Sequence, residues 1–232
     1  MKIKLFMDGA NLEEMRRAYS SRSVQGFTTN PTLMRKAGIE NYEHFARAAV
    51  DAIPDLPISF EVFSDDFDGM EREARIIASW GRNIYVKIPV CNTRGESSVP
   101  LIRRLSEEGF ALNVTAVMTL DQVHAINGAV SAQAPTIVSV FAGRVADTGR
   151  DPVPMMAESV RVLADKPRAE LLWASPRELL NVFHAEQCGC HIITATADVI
   201  KKIPLIGKDL HKYSIETVKM FYDDAQSSGF RL

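Results

Sequence analysis

Lys87 stands near the end of Ile84-Tyr85-Val86-Lys87-Ile88-Pro89-Val90, a run whose branched and aromatic residues otherwise suit a buried strand. An unpaired ammonium is costly to bury, and a buried lysine tends to shed its proton rather than stay charged. The free amine is a nucleophile that forms a Schiff base with a carbonyl substrate. The plainer reading is a strand lysine whose stem carries its charge out to water, and for one lysine alone that is the commoner case. Its company favours the chemical reading. Further polar groups fall where other short apolar runs end: Asp8, Thr29 and Asn30, Glu61, Asn113 and Thr115, Ser139, then Ser175 and Arg177. Any one of these suits a helix N-cap after a strand, Asn30 and Ser175 most readily. Glu61 and Lys87 lie within their runs, where capping does not account for them.

Groups so far apart in sequence need a scaffold that gathers them. Strands are expected at 4–7, 26–29, 58–62, 84–88, 111–114, 136–141, 170–173 and 191–194. Amphipathic stretches separate them. Asn30-Pro31, Asp151-Pro152 and Ser175-Pro176 mark helix starts, and Gly81 and Gly109 precede strands where helix C-termini belong. Eight strands alternating with helices in 232 residues favour the α/β class, and within it a single-domain (β/α)8 TIM barrel over an open doubly wound sheet. No linker or shift in composition splits the chain. Residues 1–207 are assigned to the barrel and 208–232 to a C-terminal extension of one or two helices, expected to pack on the barrel or on a neighbouring subunit. In such a barrel functional side chains collect at the C-terminal ends of the strands, so the polar groups named above would share one rim.

The remaining features narrow the function. With 46% hydrophobic residues the chain can bury a full core, and a net charge of −2 gives no basic surface for nucleic acid. No apolar run approaches the roughly 20 residues of a membrane span. The start, Met1-Lys2-Ile3-Lys4-Leu5-Phe6, lacks the apolar core of a secretory signal, and three cysteines make a disulfide framework unlikely to arise, so a cytoplasmic location is expected. Cys188-Gly189-Cys190-His191 carries zinc-ligand types, but the spacing matches no common zinc pattern and no second ligand pair exists. These cysteines are read as small apolar residues at the start of a buried strand. With no HExxH, GxGxxG or GxxxxGK[ST] pattern, neither a metal nor a nucleotide cofactor is expected.

Six segments together resemble the transaldolase family: Phe6-Met7-Asp8-Gly9-Ala10-Asn11, Gly26-Phe27-Thr28-Thr29-Asn30-Pro31, Tyr85-Val86-Lys87-Ile88-Pro89, Asn113-Val114-Thr115, Ser139-Val140-Phe141-Ala142-Gly143-Arg144 and Ala174-Ser175-Pro176-Arg177. Their order and spacing match from the first strand to the eighth. The resemblance implies a class I aldolase mechanism, with no cofactor beyond the covalent Schiff base on Lys87. It makes Asp8 the carboxylate that takes the proton of the ketose C4 hydroxyl. Glu61 and Thr115 match the pair that holds a catalytic water. Thr29, Asn30, Asn113 and Ser139 fall at the site of the dihydroxyacetone portion, and Arg144, Ser175 and Arg177 match the phosphate site. For Arg177 the nearby Glu178 and Glu186 also allow an ordinary surface ion pair.

Short members of that family include transaldolases and fructose-6-phosphate aldolases. The aldolases carry glutamine for the water-holding glutamate and tyrosine for the phenylalanine of the FxGR motif. Glu61, Asn113 and Phe141 follow the transferase pattern. Gly9, Val62-Phe63 and Met118-Thr119 depart from the usual pocket walls. The expected activity is transfer of a dihydroxyacetone unit between sugar phosphates. The alternatives are a lyase that releases dihydroxyacetone or an aldolase acting on a specialised sugar; a non-catalytic sugar-phosphate binder fits less well, because Lys87, Asp8, Glu61 and Thr115 are all present. Sugar phosphates are the implied partners, and the short subfamily implies a homo-oligomer, pentamer or decamer.

Overall fold

The computed structural model describes residues 2–229 and 231. Eight parallel strands, β1 Lys4–Asp8, β2 Gly26–Thr28, β3 Ile58–Glu61, β4 Ile84–Pro89, β5 Leu112–Val117, β6 Thr136–Val140, β7 Ala169–Trp173 and β8 Ile192–Ala195, pair in sequence order. β8 pairs back onto β1, closing the barrel. The helices between them are α1 Leu12–Ser20, α2 Pro31–Lys36, α3 Tyr42–Ala52, α4 Phe67–Ala78, α5 Val99–Glu107, α6 Leu120–Asn127, α7 Ala142–Ala146, α8 Val153–Val162 and α9 Leu180–Gln187. α10 Ala197–Ile200 follows the last strand, and α11 Leu210–Ser228 lies near the chain's end. This is the (β/α)8 barrel expected from the sequence, with helix remaining after the barrel.

Local chemistry accounts for the boundaries. Asn11, Asn30, Asn41 and Asp66 each accept a hydrogen bond from backbone N–H groups in the first turn that follows, and Thr119 and Gln122 form a reciprocal cap on α6. α5 ends where Gly109 takes φ +86°, a left-handed conformation suited to glycine. Ser175-Pro176 does not open a helix. Ser175 itself has φ +62°, and α9 begins only at Leu180.

Alternation along the strands sorts the interior into layers. Phe6, Ile137, Leu172 and Ile192 pack together as an apolar floor, with Tyr85 against them. One step further along the same inward faces come Asp8, Thr28, Glu61, Lys87, Asn113, Ser139 and Thr194, so an apolar floor carries a polar layer. Between β5 and β6 the register slips from Val114 opposite Val138 to Val117 opposite Val140, which leaves one extra residue on β5. Ala116 in this bulge has φ +60°, a conformation that costs a non-glycine residue roughly 1–2 kcal/mol.

The backbone after β6 meets the backbone after β7 at Gly143. A methyl group there would lie 1.6 Å from the Ser175 carbonyl oxygen and 2.7 Å from its carbon. Backbone cannot move aside as a flexible side chain can. Gly143→Ala is therefore expected to cost about 1–3 kcal/mol or more, lowering Tm by several degrees in calorimetry. An unchanged Tm would show that this contact is looser than its geometry.

The chain divides into two compact units, Met1–Ile200 and Lys201–Leu232. The first holds the barrel. In the second, α11 is capped by Asp209, whose carboxylate accepts from Lys212 N at 2.8 Å, and ends at Gly229 with φ +70°. Lys208 pairs with Glu216 and lies over the Tyr213 ring, and Lys219 pairs with Asp223. Leu210, Ile215, Val218, Phe221 and Tyr222 are all exposed. No helix among the described residues is long and apolar enough to cross a membrane.

Candidate active site

A cavity of about 560 Å³ opens at the C-terminal ends of the strands. Lys87 projects from β4 into its base, where the residue is only 6% exposed. Its Nζ donates to the Thr29 carbonyl at 3.0 Å and lies 3.2 Å from Glu61 Oε2, on the adjacent strand in lateral register. The lysine expected at a buried strand position is therefore buried and partnered, not extended to solvent.

Asp8, at the end of β1, faces the same cavity. Thr28 Oγ1 donates to Asp8 Oδ1 at 2.8 Å, and Asn30 Nδ2 makes a longer 3.4 Å contact with Oδ2. The single Thr28 hydroxyl proton goes to the carboxylate, so the 2.6 Å contact with Thr194 Oγ1 has Thr194 as donor. Burial raises the Asp8 pKa above its usual value, against the lowering effects of the Lys87 charge and of these two hydrogen bonds. Asn30 does two things at once, since its Oδ1 also caps α2 by accepting from Leu33 N at 3.0 Å.

Thr115 lies at the start of the β5 bulge and lines the cavity, although the residue is 2% exposed. Its hydroxyl has no hydrogen-bond partner among the described residues. A buried hydroxyl left open is rare among native side chains. Ser139 also lines the cavity and donates to Asn113 Oδ1 at 2.7 Å, while Asn113 Nδ2 donates to Ser59 Oγ at 2.9 Å.

Glu61 is held from behind as well. The Tyr42 hydroxyl, on α3, donates to the Glu61 carbonyl at 2.8 Å, and its ring packs against Phe60, Phe63 and Trp80. Just beyond, Glu73 accepts from Phe63 N, Ser64 N and Ser64 Oγ, tying down the loop that leaves β3.

Arg144, Phe141, Ser175 and Arg177 line the mouth on the β6–β7 side. The Arg144 guanidinium sits 5.4 Å from the centre of the Phe141 ring and has no carboxylate partner among the described residues. Arg177 does have one, and it is neither Glu178 nor Glu186. Its Nε donates to Asp147 Oδ1 at 2.9 Å and its Nη2 to Asp147 Oδ2. Nη1 donates to Ser175 Oγ at 3.1 Å. Ser175 is thus no helix cap; its left-handed backbone turns its hydroxyl towards Arg177.

Two of the residues expected at the substrate lie outside the cavity lining. The Thr29 side chain does not reach the cavity: its hydroxyl donates to the Ser59 carbonyl, and its own carbonyl serves Lys87. Thr28 is the threonine that faces inward. Asn113 is fully buried behind Ser139 and supports that side chain from outside the lining. Thr194 and Lys36 also line the cavity and were not anticipated. A hydroxyl near the end of the eighth strand was the available signal for Thr194.

Away from this site, the thiol of Cys190 lies within hydrogen-bond reach of the Leu171 and Ile192 carbonyls, and His191 Nδ1 accepts from Leu171 N. Burial pushes the Cys190 pKa up. Among the described residues no group of three or more His, Cys, Asp or Glu side chains is placed to hold a metal ion.

The family model described as Transaldolase/Fructose-6-phosphate aldolase matches residues 5–232. A probable transaldolase of Thermoanaerobacter sp. (strain X514) is 32% identical over 232 residues, covering 99% of this chain and all of that protein. One from Heliobacterium modesticaldum is 35% identical, over 87% of this chain and 89% of its own length. Among solved structures, a putative lyase/mutase from Burkholderia cenocepacia superposes with a TM-score of 0.63 at 14% identity, over 86% of this chain and 78% of that one. KGPDC from Streptococcus mutans superposes at 0.58 and 10% identity, over 87% and 91%. At such identities these structures speak for the fold alone. Sequence match, barrel and cavity agree, and the chain belongs to the transaldolase/fructose-6-phosphate aldolase family.

Proposed function

We propose that this protein is a transaldolase. It would move a dihydroxyacetone unit from a ketose phosphate, such as fructose 6-phosphate or sedoheptulose 7-phosphate, to an aldose phosphate through a Schiff base on Lys87. The observation that carries this reading is the Lys87–Glu61 pair, 3.2 Å apart at the base of a cavity that Asp8 also faces. Lys87 must give up a proton before its amine attacks the ketose carbonyl, and Glu61 is the acceptor within reach.

Attack on C2 gives a carbinolamine, and loss of water gives the iminium. Asp8 then takes the C4 hydroxyl proton as the C3–C4 bond breaks, with the bonding electrons drawn into the iminium to leave an enamine. The aldose departs, and the enamine adds to the aldehyde of the acceptor. Water enters and leaves during carbinolamine formation and breakdown, and the open Thr115 hydroxyl, which lines the same cavity as Glu61, suits a site for it. Asn30 and Ser139 are polar groups suited to retain the three-carbon unit between the two half-reactions, and Arg144, Ser175 and Arg177 to take the phosphate. The covalent partner is a side chain of the protein, so this scheme calls for no metal or organic cofactor. Self-association belongs to the same proposal: the exposed apolar residues of α11 support it, and the short family members point to a pentamer or decamer.

The test is acceptor dependence. Fructose 6-phosphate is supplied with and without erythrose 4-phosphate, and sedoheptulose 7-phosphate, glyceraldehyde 3-phosphate and dihydroxyacetone are measured. Turnover that depends on the acceptor is expected. Rapid release of dihydroxyacetone that ignores the acceptor would replace the transferase with a lyase.

A further inference from the structure

We propose that Asp147 is a positioning residue for substrate phosphate, holding one edge of the Arg177 guanidinium so that its other donors remain for the phosphate. The inference rests on the sugar-phosphate reading above and assigns to it a residue outside the cavity lining. A guanidinium has five N–H donors in a rigid plane. Asp147 engages it side-on, through Nε at 2.9 Å and through Nη2. That leaves an Nη1 and an Nη2 proton at the end of the plane, the parallel pair that matches two phosphate oxygens. Nη1 also donates to Ser175 Oγ at 3.1 Å, so the free edge lies beside a hydroxyl that lines the cavity.

The side chains of Arg177 and Asp147 are 47% and 51% exposed, and a pair so open to water adds little to stability. Its consequence is orientation. An arginine on a loop would otherwise have to be ordered when the ligand binds, and the carboxylate orders it beforehand. Arg177 also lowers the Asp147 pKa, chiefly by hydrogen bonding, so the acid stays ionised at neutral pH.

The placement is specific to this fold. Asp147 is the C-cap of α7, the short helix that carries Arg144. At Gly143 that helix is packed so tightly on Ser175 that the carboxylate and the β7 loop keep a fixed separation. One helix therefore presents an arginine directly and orients a second from the side. Arg144 is held differently, over the Phe141 ring with no ion pair of its own among the described residues, although its charge also helps to lower the Asp147 pKa.

The experiment compares KM for fructose 6-phosphate with KM for fructose, alongside binding of inorganic phosphate followed by ³¹P NMR titration. Asp147→Ala should raise the KM ratio, and weaken inorganic phosphate, by about 3–10-fold, the scale of ordering one long side chain. Asp147→Glu keeps the charge but lengthens the arm, and should weaken phosphate too. In an Arg177→Ala background, Asp147→Ala should change neither quantity. Tighter phosphate binding in Asp147→Asn with wild-type behaviour in Asp147→Glu would make the acid a mere counter-charge and overturn the proposal. So would equal losses for both sugars, or an undiminished effect without Arg177. If fructose 6-phosphate is not turned over at all, the transaldolase reading fails, and the phosphate titration still decides the role of Asp147.

Discussion

Lys87→Ala is expected to abolish dihydroxyacetone transfer, with kcat lowered by on the order of 10⁶, the scale on which losing a covalent nucleophile is felt. Borohydride added with fructose 6-phosphate should trap an adduct in the wild type, seen as a mass increase on the peptide carrying Lys87, and none in the variant. Lys87→Arg separates charge from chemistry. The guanidinium can still face Glu61 and donate to the Thr29 carbonyl, the two contacts that hold the ammonium at 3.2 and 3.0 Å. It cannot form an imine under these conditions, because it stays protonated. If Lys87 served only as a buried structural cation, arginine would restore much of the activity. Under the covalent scheme it restores none. Full turnover by either variant, or an adduct mapped to another lysine, would end the Schiff-base assignment to this residue.

The sequence made the barrel legible because burial on both faces turns parallel strands into short branched runs, and the chain shows eight. The placement of Lys87, Asp8 and Glu61 followed from the rule that barrel side chains work at strand ends. What escaped depended on parity and on distance. β2 is three residues long, too short to show which of two neighbouring threonines faces inward, and the structure turns Thr28 to the cavity and Thr29 away. The bulge on β5 was hidden because alanine, not glycine, takes the left-handed position at 116. Ser175-Pro176 has the composition of a helix start, but the serine adopts a left-handed turn that such a start does not use. Arg177 finds its acid thirty residues back in the chain at Asp147, through two loops brought together by the barrel. Local spacing offered only Glu178 and Glu186.

Asp8→Asn should lower kcat by roughly 10²–10⁴, the usual contribution of a positioned general base, while leaving the borohydride adduct on Lys87 intact. The first covalent step needs the amine and the ketose carbonyl; only the bond cleavage that follows needs a base at C4. Substrate should therefore be trapped with its carbon chain whole, and the mass of the adduct would report the full sugar phosphate. The same carboxylate gives a second readout. Burial raises its pKa in the folded protein, so the native state binds this proton more tightly than the unfolded chain does. Its contribution to stability is then greatest below the unfolded value of about 3.8 and falls as pH rises through the higher folded value. Once ionised, the buried acid is a burden to the fold, tolerated for what it does. Asparagine keeps an oxygen for Thr28 to donate to and removes the buried charge, so the Tm of Asp8→Asn at pH 7 should equal or exceed that of the wild type. The acid limb of the wild-type kcat/KM profile should likewise lie above the range of an ordinary aspartate, because the base must be ionised to act. An inactive but no less stable variant that still forms the full-length adduct would place Asp8 at the cleavage step. A variant that loses adduct and stability together would place it in the fold instead.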